Sequence, residues 1–238
     1  MKCLLFLLLV FSCCGCGDED TIAKPDGPNI ITPPEGNPSV LPPQPPAVID
    51  IAEGEYDGYF YEVGRRREVE IIPDKFYIIF KEADLERMLR QLADNDFTIC
   101  SDGIWRYYTK HWTHIGFPAE LFDCACMEIE GSGDIKKLDG LVYYTHLYYD
   151  RHSPYPDMVI GGSNGIYLRL FRTEDIEIVD RYARDMHLYI INRGVKEFDV
   201  TLVCTSESAG THVQVANYLH ETGLFDSVQP EFNFIIFI

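Results

Sequence analysis

Three groups of residues have types and spacings that could do chemistry. Gly161-Gly162-Ser163-Asn164-Gly165 fits the pattern G-x-S-x-G. That pattern makes a nucleophile when its serine sits on a sharp turn between a strand and a helix, whose N–H groups help to stabilise an oxyanion. Here it runs into Ile166-Tyr167-Leu168, a strand-like segment. Three glycines with Ser and Asn are ordinary turn composition, so the sequence predicts a turn. Cys124-Ala125-Cys126, with Cys100 and Cys204, supplies thiols. On a strand the two cysteines of C-x-C share a face about 7 Å apart, offering two ligands to a metal that needs four. His111 and His114 lie in an irregular aromatic stretch with no fixed partner, and no metal site is expected. A disulfide from Cys100 to Cys124 or Cys126 stays open, with buried free thiols as the alternative. Glu128, Glu130 and Asp134 alternate with apolar or turn residues, as on a solvated strand edge, and no acid/base couple stands out. The expectation is a protein with no catalytic residues and no cofactor.

The elements that must position these groups read as mixed α and β. With 238 residues, 46% of them hydrophobic, the chain can bury the core of one or two domains, and 15 Tyr with 14 Phe suit half-buried strands. Glu55–Glu62 and Arg67–Ile72 form a hairpin turning at Gly64, and Phe76–Phe80 is a buried strand. Asp84 caps a helix with Leu85, Met88, Leu89 and Leu92 at i, i+3, i+4 and i+7. Phe97–Cys100, Cys124–Glu130 and Leu141–Tyr149 are strands, with a short helix at Asp134–Leu138. The insert Ile104–Phe122, rich in Trp and Tyr, has no assignment. The second half is cleaner: a strand Ile166–Phe171, a helix capped by Thr173 that carries Ile176, Val179, Ala183 and Met186, strands His187–Asn192 and Phe198–Cys204, a helix over 211–222 stopped at Gly223, and a last strand through Phe225, Val228 and Phe232. The order β-α-β-β-α-β is the split βαβ of ferredoxin-like folds, an antiparallel sheet with both helices on one face. The expected class is α+β, with two ferredoxin-like (βαββαβ) units over 51–150 and 151–238.

The N-terminus reads as a targeting segment. Lys2 precedes an apolar run, Leu4–Phe11, too short for the ~20 residues of a membrane span and suited to a signal-peptide core. Cys13-Cys14-Gly15-Cys16 follows and resembles a bacterial lipoprotein box. Cys16, followed by the acidic run Asp18-Glu19-Asp20, is the expected lipidation site, and Cys13, with Val10 at −3 and Ser12 at −1, is the alternative. A plain secretory signal is the other reading. Residues 17–50 carry prolines from Pro25 to Pro46 and almost no periodic apolar pattern, a semi-rigid tether. The implied location is the cell envelope of a Gram-negative bacterium, at the outer membrane, with the lipid as the sole membrane attachment. A formal charge of −18 argues against nucleic acid, which needs a basic surface, and serves solubility.

The stretch Val215–Phe232, VANYLHETGLFDSVQPEF, with a strand before it, resembles the end of the N-terminal prodomain of secreted subtilisin-like serine proteases, of the fervidolysin-like type. The family's V-x-P-(D/E) signature matches Val228, Gln229, Pro230 and Glu231. The likeness is good over about 165–232 and thin over 55–150. It implies a ferredoxin-like topology and a subtilisin-like protease as partner, with this chain as inhibitor or folding assistant. The catalytic domain is absent from this sequence. Gly210-Thr211-His212-Val213 echoes the family's H-G-T-H-V-A-G motif, but the position of its catalytic His is Ala209, and the Asp and Ser motifs are missing, so His212 reads as a first-turn helix residue. In the family, residues after the last strand enter the protease cleft as a substrate-like strand. That implies a partner-contacting role for Asn233, Phe234, Ile235, Ile236, Phe237 and Ile238, a β-prone run that would aggregate if left bare. A final core strand is the alternative. Two further readings stay open: a surface ligand-binding lipoprotein reusing the scaffold, and a remnant of a longer protease.

Overall fold

The computed structural model describes residues 49–100, 105–107, 121–153, 158–192 and 198–236. The lipidation cysteines, most of the proline-rich tether and most of the aromatic insert lie outside them. The fold is α+β, with two antiparallel sheets and few helices.

β1 (Tyr59–Glu62) and β2 (Arg65–Lys81) form the expected hairpin, with Gly64 at the turn in the left-handed region (φ 72°). β2 joins two segments that the sequence reads as separate strands. Pro73-Asp74 does not end it: the register against β6 (Leu141–Asp150) shifts between Ile72 and Phe76, and a bulge absorbs the proline. The first sheet has eight strands. β3 (Phe97–Ile99) and β4 (Trp105–Tyr107) pair with β5 (Cys124–Gly131), β5 pairs with β2, β2 with β6, β6 with β7 (Met158–Gly161), and β12 (Asn233–Ile236) ends the sheet on β7. Its two faces are both buried. Phe76, Ile78 and Phe80 of β2 pack with Met88 and Leu92 of α1 (Leu85–Asp94). Tyr77 and Ile79 point the other way, into the main core.

The second sheet carries β8 (Gly165–Arg169), β9 (Tyr189–Asn192), β10 (Asp199–Val203) and β11 (Ser227–Pro230) in the order β11-β8-β10-β9. With α2 (Ile176–Asp185) between its first and second strands and α3 (His212–Glu221) between its third and fourth, this is the split βαβ order. Ile166, Leu168, Val200, Leu202 and Val228 share a core with α2 and α3, while Tyr167, Arg169 and Asp199 face solvent.

α3 is buried nearly all round, from His212 through Asn217 and at Leu219. Its start follows from a T-x-x-Q capping box: the Thr211 hydroxyl accepts from Gln214 N–H (3.3 Å), and Gln214 Oε1 accepts from Thr211 N–H (2.9 Å). Its stop is Gly223 (φ 67°). Val213 packs with Phe60, Val69, Tyr148 and Ile160 of the eight-stranded sheet, and Val215, Ala216 and Leu219 join the core with Ile166, Leu168 and Val228 of the four-stranded one. The segment before β1 straps over it: Asn217 Nδ2 donates to the carbonyls of Tyr56 (2.8 Å) and Tyr59 (2.7 Å).

Three expectations change. Among its described residues the first half holds one α-helix where a βαββαβ unit has two, and its sheet takes in β7 and β12 from beyond residue 150, so the boundary at 150/151 does not separate the sheets. Residues 44–238 cluster as one compact unit. Glu128 is not on a solvated edge but fully buried, because both faces of this sheet are covered. Of the two readings left open for the cysteines, the structure has the one without a bridge: among the described residues Cys100, Cys124, Cys126 and Cys204 form no disulfide; Cys100 lies across from Glu128, whose carbonyl accepts its N–H, which places Cys126 only on the diagonal.

Candidate functional site

The turn at Gly161–Gly165 joins two strands, β7 and β8, and no helix follows it. Ser163 is buried and committed: its hydroxyl donates to Glu231 Oε2 (2.7 Å) and accepts from Gly165 N–H (3.1 Å). The Tyr167 hydroxyl donates to the other carboxylate oxygen, Oε1 (2.8 Å). The Tyr167 phenol is pushed up to about 12, first by burial and then by this bond. Backbone closes the ring, Glu231 N–H donating to the Gly165 carbonyl (2.9 Å). Gly165 leaves room for the carboxylate where it stands, since a Cβ there would collide with Glu231 Oε2 and displace it. Two motifs 60-odd residues apart in sequence, G-x-S-x-G and V-x-P-E, thus build one fixed carboxylate.

That carboxylate lines a cleft of about 260 Å³ at the junction of the β1–β2 hairpin, the ends of β6 and β7, and the β11–β12 link. Phe60, Tyr61, Ile160 and Phe232 supply its apolar walls, with Phe60 and Phe232 in edge contact (4.8 Å between centroids). Arg67 also lines it, and its guanidinium bonds Asp150 Oδ2 (2.9 Å) and also Glu62. Three carboxylates and one guanidinium leave the cleft net acidic. The volume is below the ~300–1,000 Å³ of small-molecule sites and suits one or two side chains of a partner.

Two other polar groups are buried without access. His212 is fully buried; its backbone N–H donates to the Tyr143 hydroxyl (2.9 Å), and that hydroxyl lies 2.8 Å from Nδ1. That contact is made whichever partner supplies the hydrogen, because the hydroxyl has one proton to give and two lone pairs to accept with. Burial lowers the imidazole to about 3, against a smaller opposing pull from the Glu231 backbone, so it stays neutral and structural. Glu128 lies on the face of β5 that carries Cys124 and Cys126; neither carboxylate oxygen has a hydrogen-bond partner, and burial pushes it up to about 7. Among the described residues no group of three or more His, Cys, Asp or Glu side chains could hold a metal ion.

Of the expected partner-contacting segment, Asn233–Ile236 is β12, antiparallel to β7 with Phe234 opposite Ile160, and Phe237 and Ile238 lie outside the described residues. So do both lipidation candidates, Cys16 and Cys13. Sequence reasoning missed Arg67, Asp150 and Tyr167; the available signal was the triplet Arg65-Arg66-Arg67 in a strongly acidic chain. No described helix is long and apolar enough to cross a membrane.

No protein-family model matches this sequence, and no curated protein matches it. Among solved structures it is similar to the acetolactate synthase small subunit from Thermotoga maritima, at 15% identity over 68% of this chain and 95% of that one, with a TM-score of 0.23. A likeness of that degree fixes neither fold nor activity.

Proposed function

We propose that this chain is a non-catalytic binding module of the cell envelope, holding its partner by strand pairing along β12, with a subtilisin-like protease as the partner. One observation carries the reading. β12 ends the eight-stranded sheet, and among the described residues no strand flanks its other side, so a row of backbone donors and acceptors is left for an incoming strand. The split βαβ order of β8–β11 agrees with the topology implied by the resemblance to protease prodomains. With β12 already paired to β7, entry of the tail into a protease cleft needs that pairing broken; addition of a partner strand in place does not. Lipidation at Cys16, or Cys13, and the proline-rich tether would hold the module at the outer membrane.

The test is inhibition of a panel of subtilisin-like proteases by residues 44–238, against a version ending at Phe232, both checked for folding by far-ultraviolet circular dichroism. Tight inhibition lost on truncation is the expected result. Inhibition that survives truncation overturns the role of β12, and no inhibition of any protease overturns the partner class.

A further inference from the structure

Resting on that reading, we propose that the cleft at the head of β12 receives a cationic side chain, lysine or arginine, from the segment that pairs along the strand. Glu231 and Phe232 line the cleft and lead directly into Asn233, so an extended chain continuing along β12 passes its mouth. The Glu231 carboxylate is fixed before any partner arrives, by the hydroxyls of Ser163 and Tyr167 and by the missing Cβ of Gly165. Those donors are neutral, and among the described residues no cation pairs with Glu231, whereas Glu62 and Asp150 share Arg67. A carboxylate has about four lone-pair sites and two are used here, which leaves room for an ammonium or guanidinium. The aromatic walls at Phe60 and Phe232 suit the methylene stem and, face on, the charge itself. Arg67 already lies 5.9 Å from the Phe60 ring centroid. An anionic side chain would meet three carboxylates against one guanidinium, and the formal charge of −18 steers cations toward the whole surface.

The probe is an array of extended eight-residue peptides in a Val/Thr background, with Lys, Arg, norleucine or Glu at one scanned position. It is read with residues 44–238 as wild type, Glu231→Gln, Tyr167→Phe and the truncation after Phe232, at low and high salt. The expected result is a preference of roughly tenfold for Lys or Arg over norleucine at one position, the size of one charge-assisted hydrogen bond. Glu231→Gln abolishes the preference and Tyr167→Phe weakens it, while norleucine peptides bind all folded full-length versions alike. A preference spread over every position, or one that Glu231→Gln leaves intact, overturns the cleft as its source and leaves strand pairing standing. Peptide binding unaffected by the truncation, or absent from the wild type, overturns the strand-pairing reading and this inference with it.

Discussion

Replacing Glu128 by Gln should stabilise the protein at pH 8 and do little at pH 4.5. The side chain is fully buried on β5, neither oxygen has a hydrogen-bond partner, and burial raises its pKa from 4.5 to about 7 against a smaller lowering by Lys75. The folded state therefore holds a proton that the unfolded chain releases. Below the unfolded value both states are protonated and nothing is lost; as pH rises from 4.5 through 7 the fold must give up that proton, and stability falls. At about 1.36 kcal/mol per unit the limit is roughly 3 kcal/mol, and relaxation with water entry brings the expectation to about 1–2 kcal/mol. In a domain of this size that is a melting-temperature difference of about 2–8 °C. The assay is urea unfolding of residues 44–238, wild type and Glu128→Gln, at intervals from pH 4.5 to 8. Taking the difference between the two removes other groups that titrate in the window, chiefly Asp57, which burial raises to about 6. If the difference does not change with pH, or the variant is the less stable one at pH 8, Glu128 is not a buried uncompensated acid.

Four further outcomes follow from packing and buried hydrogen bonds. Asn217→Ala strips donors from the carbonyls of Tyr56 and Tyr59 and should cost about 2–3 kcal/mol, read as faster proteolysis of the 49–58 strap. Gly131→Ala puts a Cβ 2.1 Å from the Asp96 carbonyl oxygen, a backbone atom, and should cost more than about 2 kcal/mol; Gly223→Ala meets open space at φ 67° and should cost about 1 kcal/mol, both by thermal melting. Tyr143→Phe leaves the His212 backbone N–H and Nδ1 without their buried partner, an expected loss of about 1–3 kcal/mol in urea unfolding.

The second half was legible because its signals are local. Ile166 and Leu168 alternate with Tyr167 and Arg169, Thr211 and Gln214 announce a helix start, and Gly223 announces its stop. From the sequence Val215, Ala216 and Leu219 mark one apolar face of α3; the structure buries it nearly all round, with Gln214 and Asn217 hydrogen-bonded, because it lies between two layers rather than against one. What failed is non-local. Alternation reports exposure when a sheet has one wet face; β5 has none, so Glu128 shares a buried face with Cys124 and Cys126 although its spacing reads as solvated. Pro73-Asp74 reads as a break and is a bulge, because pairing on both sides of β2 carries the strand past it. The cleft draws on residues from 60 to 232, and only the fold brings Arg67, Tyr167 and Glu231 to one place.

The layering also orders events in time. During synthesis, residues up to about 150 emerge first and can pair β1, β2, β3, β5 and β6, with α1 covering one face. The opposite face, with Tyr77, Ile79, Tyr143 and Leu147, shares its core with Ile49 and Ile51 of the leading segment and, for the larger part, with elements that come later: α2, α3 and the second sheet. Until some 70 further residues have been made, that apolar surface is bare, and the open edge beyond β6 waits for β7 and then β12. A nascent chain in this condition is prone to aggregation and depends on a holding chaperone or on staying unfolded until complete. Each half expressed alone should therefore be insoluble, and the two together should recover the fold only when they are present from the start.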